Sequence, residues 1–455
     1  MKKNEYGLFT AITMIIGIVI GSGIFFKSDN ILVATGGSIS LGVLVFCIAS
    51  IAIIFGSLTI AELASRNSKE GGIIAYAEEY YSKAVACSFG WMNTFIYYPA
   101  LLAVVGWVTG IYTCMLFEIE GTLEKQIAIG LFVILLFFLL NILSAKLGGY
   151  FQNLATVIKL IPLVMIAVIG VTFGHASSIN LTDVTNMQSF AWISAIAPIS
   201  FSFDGWIIAT SIGHEIKDSK KNLPIALIVA PIIILIIYIV YFVGISIYIG
   251  PEKIMALGDA HVDVVANNLF GPMGAKILLI FVITSVLGAA NGLVLAMLRM
   301  PYSLAKREMF PYSDKVSNFN KKLGIPVISA FIAIGICFIL IIMHYLTQKF
   351  NLLPNSDISE IAVTINYVIY ILLYYKVLKM GLRKEIKSKF RGIVCPAMAI
   401  LGSVIILLGS ICNPLFILYI IICAMVTGTA ILFWKSKENK KGDNIKNSIN
   451  IIEEI

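Results

Sequence analysis

Apolar runs of about twenty residues recur along almost the whole chain, and nothing constrains its fold more. A helix of that length crosses the hydrocarbon core of a bilayer, and only helices or closed barrels can satisfy their own backbone there. About 12 such segments can be placed from hydropathy and length, near residues 8–35, 39–63, 85–115, 126–145, 150–173, 188–213, 224–249, 271–298, 325–346, 357–378, 393–411 and 415–434. The chain of 455 residues is 59% hydrophobic and 13% charged, which excludes an ordinary soluble domain. The fold class read from this is an all-α membrane protein.

The formal charge of +8 first suggests a nucleic-acid partner, but its distribution argues against one. With both termini in the cytoplasm, the basic residues divide about 27 inside to 5 outside, the outer five being Lys27, Lys125, Lys253, Lys276 and Lys349. That asymmetry is a topology signal, with attraction to anionic lipid as a by-product. No cleavable signal is expected, because Met1-Lys2-Lys3 leads into a run without a small-residue cleavage pattern. None of the seven cysteines forms a C-x-x-C pair, so they read as small buried hydrophobes. The polar residues from Ser436 onward read as a disordered tail.

Three features do not fit inert spans. The first segment carries Gly17-Ile18-Val19-Ile20-Gly21-Ser22-Gly23-Ile24-Phe25. Its Gly-Ser-Gly reads either as a close-packing face of an intact helix or as a break whose freed backbone groups face a cavity. Lys159 is the one basic residue assigned to neither side; it lies about 14 Å along the fifth segment, too deep to reach the interface easily. A cation there is costly unless carbonyls and hydroxyls surround it, and such a group can also lose its proton. The sixth segment holds Ile199-Ser200-Phe201-Ser202-Phe203-Asp204-Gly205-Trp206, a second candidate break. Asp204 reads as an N-cap for the half-helix that follows, or as a direct cation ligand.

Interrupted helices at corresponding positions of two halves point to an inverted-repeat transporter. Half-helix N-termini offer amides to an anion, and half-helix C-termini offer carbonyls to a cation. A zwitterion with its two charges one carbon apart, an α-amino acid, suits such a pair.

The sequence resembles the amino acid–polyamine–organocation superfamily, and within it the bacterial relatives of the L-type amino acid transporters. Gly17 to Phe25 is similar to the first-helix pattern G-x-x-I-G-S-G-I-F. Ala61-Glu62-Leu63 with Gly71-Gly72 and Tyr76 matches the stretch after the second helix. Gln152-Asn153, Thr156 and Lys159-Leu160 match the fifth-helix pattern Q-N-x-x-T-x-x-K-L. Phe203 to Trp206, Glu215-Ile216-Lys217 and Asn222-Leu223-Pro224 match the sixth helix and its loop, and Gly288-Ala289-Ala290-Asn291-Gly292 echoes G-A-x-N-G. Together these cover residues 8–310; beyond about residue 325 the likeness rests on hydropathy.

The resemblance implies the LeuT fold, a 5+5 inverted repeat with discontinuous helices 1 and 6 plus two C-terminal helices. Residues 1–380 would form the transport core (8–173 and 188–378 as its repeats), 381–434 two added helices and 435–455 a cytoplasmic tail. By the same resemblance, the substrate carboxylate meets amides around Ser22, Gly23 and Ile24. The ammonium meets carbonyls around Val19, Phe201, Ser202 and Asp204, with Phe201 as an aromatic gate. Lys159 stands where sodium-coupled relatives bind sodium, its expected partners being the carbonyl of Gly17 and the hydroxyl of Ser285.

A fixed ammonium cannot dissociate as sodium does, so the expected activity is sodium-independent transport across the plasma membrane, as exchange or with proton coupling. Ile207 stands where the family often has a polar Asn, and the face around it is apolar, which favours neutral substrates. If Asp204 faces the side-chain pocket, cationic amino acids or polyamines become the alternative. A sensor that binds an amino acid without net flux is a further one. The loop Phe117-Glu118-Ile119-Glu120-Gly121-Thr122 lacks the cysteine that bridges animal relatives to a heavy-chain glycoprotein, so no such partner is expected. No catalytic residue, cofactor or metal is expected: His175, His214, His261 and His344 are scattered and no H-E-x-x-H occurs. Glu62, Glu78 and Glu79 read as charges at the cytoplasmic rim.

Overall fold

The structure, a computed structural model, describes all residues except 1–6, 22, 27, 68, 70, 144, 175–190, 321–325, 354–356, 412–414 and 454–455. For some residues inside helices, among them Gln152, Asn153 and Phe201, it describes the backbone alone.

The first span is interrupted, as α1 (Leu8–Val19), α2 (Gly23–Phe26) and α3 (Ser28–Ala34). Then follow α4 (Ile39–Arg66), the short α5 (Ile73–Tyr80), α6 (Lys83–Met92), a π-helical turn at Asn93–Tyr97, α7 (Tyr98–Leu116), α8 (Leu123–Leu143) and α9 (Ala145–Phe173). The sixth span is a 3-10 turn at Ala191–Ala195, α10 (Ile196–Ser202), a break, and a 3-10 stretch at Trp206–Glu215. The remainder comprises α11 (Ser219–Ile249), α12 (Pro251–Leu257), α13 (His261–Lys306), α14 (Ser313–Val316), α15 (Val327–Lys349), α16 (Ile358–Leu382), α17 (Cys395–Ser410) and α18 (Phe416–Glu453).

Among the described residues, ten helices are long and apolar enough to cross a membrane. The two spans that fall short are the first and the sixth, where Gly-Ser-Gly and Asp-Gly interrupt the apolar run. This is an all-α membrane fold of LeuT type, with the two broken spans packed together at its centre. There α1 touches α9, α11, α13 and the 3-10 stretch of the sixth span, while α10 lies against α2, α4, α16 and α17.

Helix ends in the bundle are closed by local chemistry. Ser38 caps α4 by accepting the Leu41 amide at 3.2 Å, and Asp357 caps α16 through the Ser359 amide at 2.8 Å. Lipid-facing sides of α8 and α9 expose Phe132, Leu139, Leu154, Val157 and Val168, as a helix immersed in hydrocarbon should. Glycine lets some helices meet backbone to backbone. A Cβ on Gly170 of α9 would lie 2.3 Å from the Gly244 carbonyl oxygen of α11, and one on Gly130 of α8 would lie 2.3 Å from that of Gly106 in α7.

Two elements differ from expectation. The helix α13 absorbs residues on both sides of Gly271, whose φ of 68° marks a kink between a loop helix and the eighth span. The stretch expected to be a disordered tail continues the twelfth helix to Glu453. Its Lys and Glu residues are good helix formers and let a membrane helix propagate into water. Near its exit the Lys83 ammonium lies 5.7 Å from the Trp434 ring, and Lys437 Nζ donates to the Glu308 carbonyl at 3.1 Å.

Candidate functional site

The first break begins where α1 ends. Ile20 turns to φ −73°, ψ 95°, so the last carbonyls of α1 lose the amides that would have continued the helix. Lys159 answers them. Its Nζ donates to Gly17 O at 2.5 Å and Ile20 O at 2.6 Å, and lies 3.5 Å from Ser285 O. The side chain is fully buried. A cation inside hydrocarbon and carbonyls without donors are each costly, and here they satisfy one another. The expected hydroxyl contact is absent: Ser285 presents its carbonyl to Lys159, and its hydroxyl donates instead to Ile20 O at 3.4 Å. Gly288 makes the room, since a Cβ there would lie 3.5 Å from Nζ and 2.9 Å from Ala155 Cβ.

The second break follows Ser202. Gly205, at φ 96°, takes a left-handed turn that an L side chain rarely adopts. The two breaks interlock. A Cβ on Gly205 would lie 2.8 Å from Ile18 Cγ2, and one on Gly23 would lie 2.8 Å from Ser202 Oγ. Contact calls for glycine at both positions, and at Gly205 the backbone conformation does so as well.

Tyr238 of α11 spans the two. Its hydroxyl is 2.7 Å from Ser202 O and 3.4 Å from Val19 O, so one polar hydrogen stands between the carbonyl ends of both broken spans. Tyr241, one turn on, donates to Phe25 O at 3.3 Å.

Asp204 does not cap the 3-10 stretch that follows it. Its Oδ2 accepts the hydroxyl of Tyr97, which the π-helical turn of the third span projects to it, and its Oδ1 is buried without a hydrogen-bond partner. The left-handed turn at Gly205 comes before the 3-10 stretch, whose start has no side-chain cap.

Between the breaks lies a cavity of ≈ 40 Å³ lined by Val19, Gly21, Gly23, Ser202, Asp204 and Gly205, with an apolar wall of Ile18, Leu101, Val105, Ala289 and Leu293. One water needs roughly 10–15 Å³ on this measure, so the space admits only a few atoms beyond a compact polar head. Of the residues expected to bind substrate, Val19, Gly23, Ser202 and Asp204 line this cavity. Ile24 follows Gly23 in α2 and is buried, while Gly17 and Ser285 sit behind the break with Lys159. Ser22 and the side chain of Phe201 lie outside the described residues.

Tyr97 and Tyr238 were missed in the sequence, where a tyrosine within an apolar span carries no distinguishing signal. The acidic residues at the rim have partners. Glu78 accepts from Arg307 Nε at 3.2 Å, Glu79 accepts from Asn67 Nδ2 at 2.6 Å, and Glu62 lies 3.6 Å from Arg391. Among the described residues no cluster of three or more His, Cys, Asp or Glu could hold a metal.

Comparison with known proteins supplies the context for this site. The sequence profile of an amino acid permease family matches residues 6–445. The serine/threonine exchanger SteT of Bacillus subtilis is 32% identical over 414 residues, covering 89% of this chain and 90% of that protein. The b(0,+)-type amino acid transporter 1 of Rattus norvegicus is 25% identical over 423 residues, or 90% and 83% of the two chains. The human cystine/glutamate transporter is 25% identical over 340 residues, or 72% and 66%.

Proposed function

The chain belongs to the amino acid permease family and transports amino acids, and from that premise we propose that it is a sodium-independent exchanger of small neutral α-amino acids. It works in the plasma membrane with both termini in the cytoplasm, by alternating access around the two breaks. The cytoplasmic placement rests on the 27-to-5 division of basic residues.

One observation carries the sodium-independent reading: Lys159 Nζ bonded to the carbonyls of Gly17 and Ile20. A covalently attached ammonium does there what a bound monovalent cation would, joining helix ends by charge, and it remains in place through the cycle. No ion gradient is drawn on at that point, which favours exchange of one amino acid for another.

The substrate's carboxylate is assigned to the amides around Ser22, Gly23 and Ile24, and its ammonium to the carbonyls of Val19, Phe201 and Ser202 and to Asp204. Tyr238 supports this division, because its polar hydrogen lies between Val19 O and Ser202 O, where an ammonium would also find its acceptors. The size of the cavity and its apolar wall support a small, uncharged side chain. Similarity to a protein named for exchanging serine and threonine agrees with that preference. The loop 117–122 offers no cysteine to a heavy chain, so the chain acts without one, in contact with lipid alone.

Counterflow into proteoliposomes made from the purified chain tests the proposal. Uptake of labelled serine against internal unlabelled serine should proceed equally with sodium and with choline outside, and an excess of arginine or putrescine should leave it intact. Strict sodium dependence would refute the reading of Lys159, and dominance of arginine would refute the neutral preference.

A further inference from the structure

Asp204 lines the cavity, and its buried Oδ1, without a hydrogen-bond partner, is the first of a series. Trp206 Nε1, Asn366 Oδ1 and the hydroxyls of Tyr367 and Tyr374 are also buried without a hydrogen-bond partner. The side chains that carry them are neighbours. Trp206, just beyond Asp204, lies edge-on to Tyr370 with ring centroids 6.0 Å apart. Along α16, Tyr370 is flanked by Tyr367 at 5.3 Å and Tyr374 at 6.4 Å, and its hydroxyl accepts from Asn366 Nδ2 at 2.7 Å. From Asn366 to Tyr374 the strip runs about 12 Å along α16, toward the Leu382 end that the topology puts in the cytoplasm. Folded proteins pair nearly all buried polar atoms, using ordered water where protein groups are lacking. A strip of donors and acceptors at this depth has the makeup of a hydrated seam.

At its head stands a carboxylate at membrane depth whose donors, the hydroxyl of Tyr97 and the backbone amide of Gly205, are both neutral. The titratable groups facing Asp204 are Tyr97 and Tyr98 from the third span and Tyr367 and Tyr370 from α16, none of which brings a positive charge. Lys159 is committed to the carbonyls of α1. An ionised carboxylate in such a place needs a cation or a proton. We propose that Asp204 exchanges a proton for the substrate's ammonium. In the empty carrier Oδ1 holds a proton while Oδ2 keeps its bond from Tyr97. When substrate enters, the O–H bond at Oδ1 breaks, the proton passes along the strip, and one proton leaves at the cytoplasmic end. The ammonium arrives already protonated and keeps its protons, so charge at the site is balanced before and after. This inference rests on the reading that the cavity takes an α-amino acid.

The test is calorimetric titration of the full chain in lipid nanodiscs with L-serine, repeated in two buffers of different ionisation enthalpy. The difference in heat counts protons released per serine bound. In mildly acidic buffer the expected release approaches about one proton, falling away in alkaline buffer where the proton has already left. Asp204→Asn should release none. Tyr367→Phe combined with Tyr374→Phe should release the same number more slowly, by about tenfold in a stopped-flow record with a pH dye. Serine binding without proton release in any buffer overturns the inference and leaves the exchanger reading standing. Proton release by Asp204→Asn overturns it too, and the wild-type titration decides if that variant does not fold. If serine neither binds nor exchanges, the exchanger reading falls and this inference with it.

Discussion

The ammonium of Lys159 lies 2.6 Å from the carbonyl oxygen of Ile20, the residue at which the first span leaves its helix. Each group would be a liability without the other. A helix end inside hydrocarbon needs donors, and a lysine at that depth needs acceptors.

Lys159→Ala takes the ammonium from the carbonyls of Gly17 and Ile20 and leaves Ile20 O only the long bond from the Ser285 hydroxyl. Exchange in proteoliposomes is expected to fall at least about tenfold, or about 1.4 kcal/mol on the limiting barrier. The variant should still elute as a single species in detergent. Undiminished counterflow would remove Lys159 from the mechanism.

Tyr238→Phe keeps the ring and deletes the hydroxyl held by Ser202 O. Loss of one buried hydrogen bond should cost about 1 kcal/mol of stability, visible as a lower melting temperature in detergent. Exchange should slow several-fold, since the carbonyl ends of the two breaks are then no longer held by a shared donor. A change in melting with unaltered exchange would make the hydroxyl purely structural.

Gly205→Ala meets two obstacles, a φ of 96° and the Cγ2 of Ile18. The backbone strain alone is worth about 1–3 kcal/mol. Transport should be lost, and adding Ile18→Ala should recover little, because it relieves the contact and leaves the strained turn. Recovery close to wild type would show that contact alone fixes glycine there.

At the opposite end of the third span, Arg307 of the loop after α13 reaches Glu78 of α5 at 3.2 Å, with both side chains largely shielded from water. A double-mutant cycle with Arg307→Ala and Glu78→Ala should give a coupling of about 1 kcal/mol, above the usual value for an exposed pair. The readout is thermal unfolding of the purified protein; additive losses would mean that the pair is incidental.

Much of this was legible in the residues. Gly-Ser-Gly and Asp-Gly in apolar runs mark breaks because hydrocarbon offers broken backbone nothing, and Lys159 stands out because charge at depth is expensive. What stayed hidden depends on three-dimensional register. Asp204 reads as a cap from its place beside Gly205, yet the turn swings its carboxylate toward Tyr97, more than a hundred residues earlier in the chain. Tyr238 gives no signal, since a phenol is ordinary in a membrane helix. The Ser285 hydroxyl was expected to face Lys159, but it donates to Ile20 O and the carbonyl faces the lysine instead.

The contact of Gly170 with Gly244 has a mechanical reach. It presses α9 against α11 without side chains between them, so the helix that carries Lys159 and the helix that carries Tyr238 cannot slide apart. Lys159 and Tyr238 therefore ride on one stiff post. The post grips α1 through Lys159 and reaches α10 through Tyr238, and the two half-spans are left as the leaves that swing from it. A door hung on a single jamb has one axis, and turnover here should be limited by how fast those few polar bonds let go and re-form.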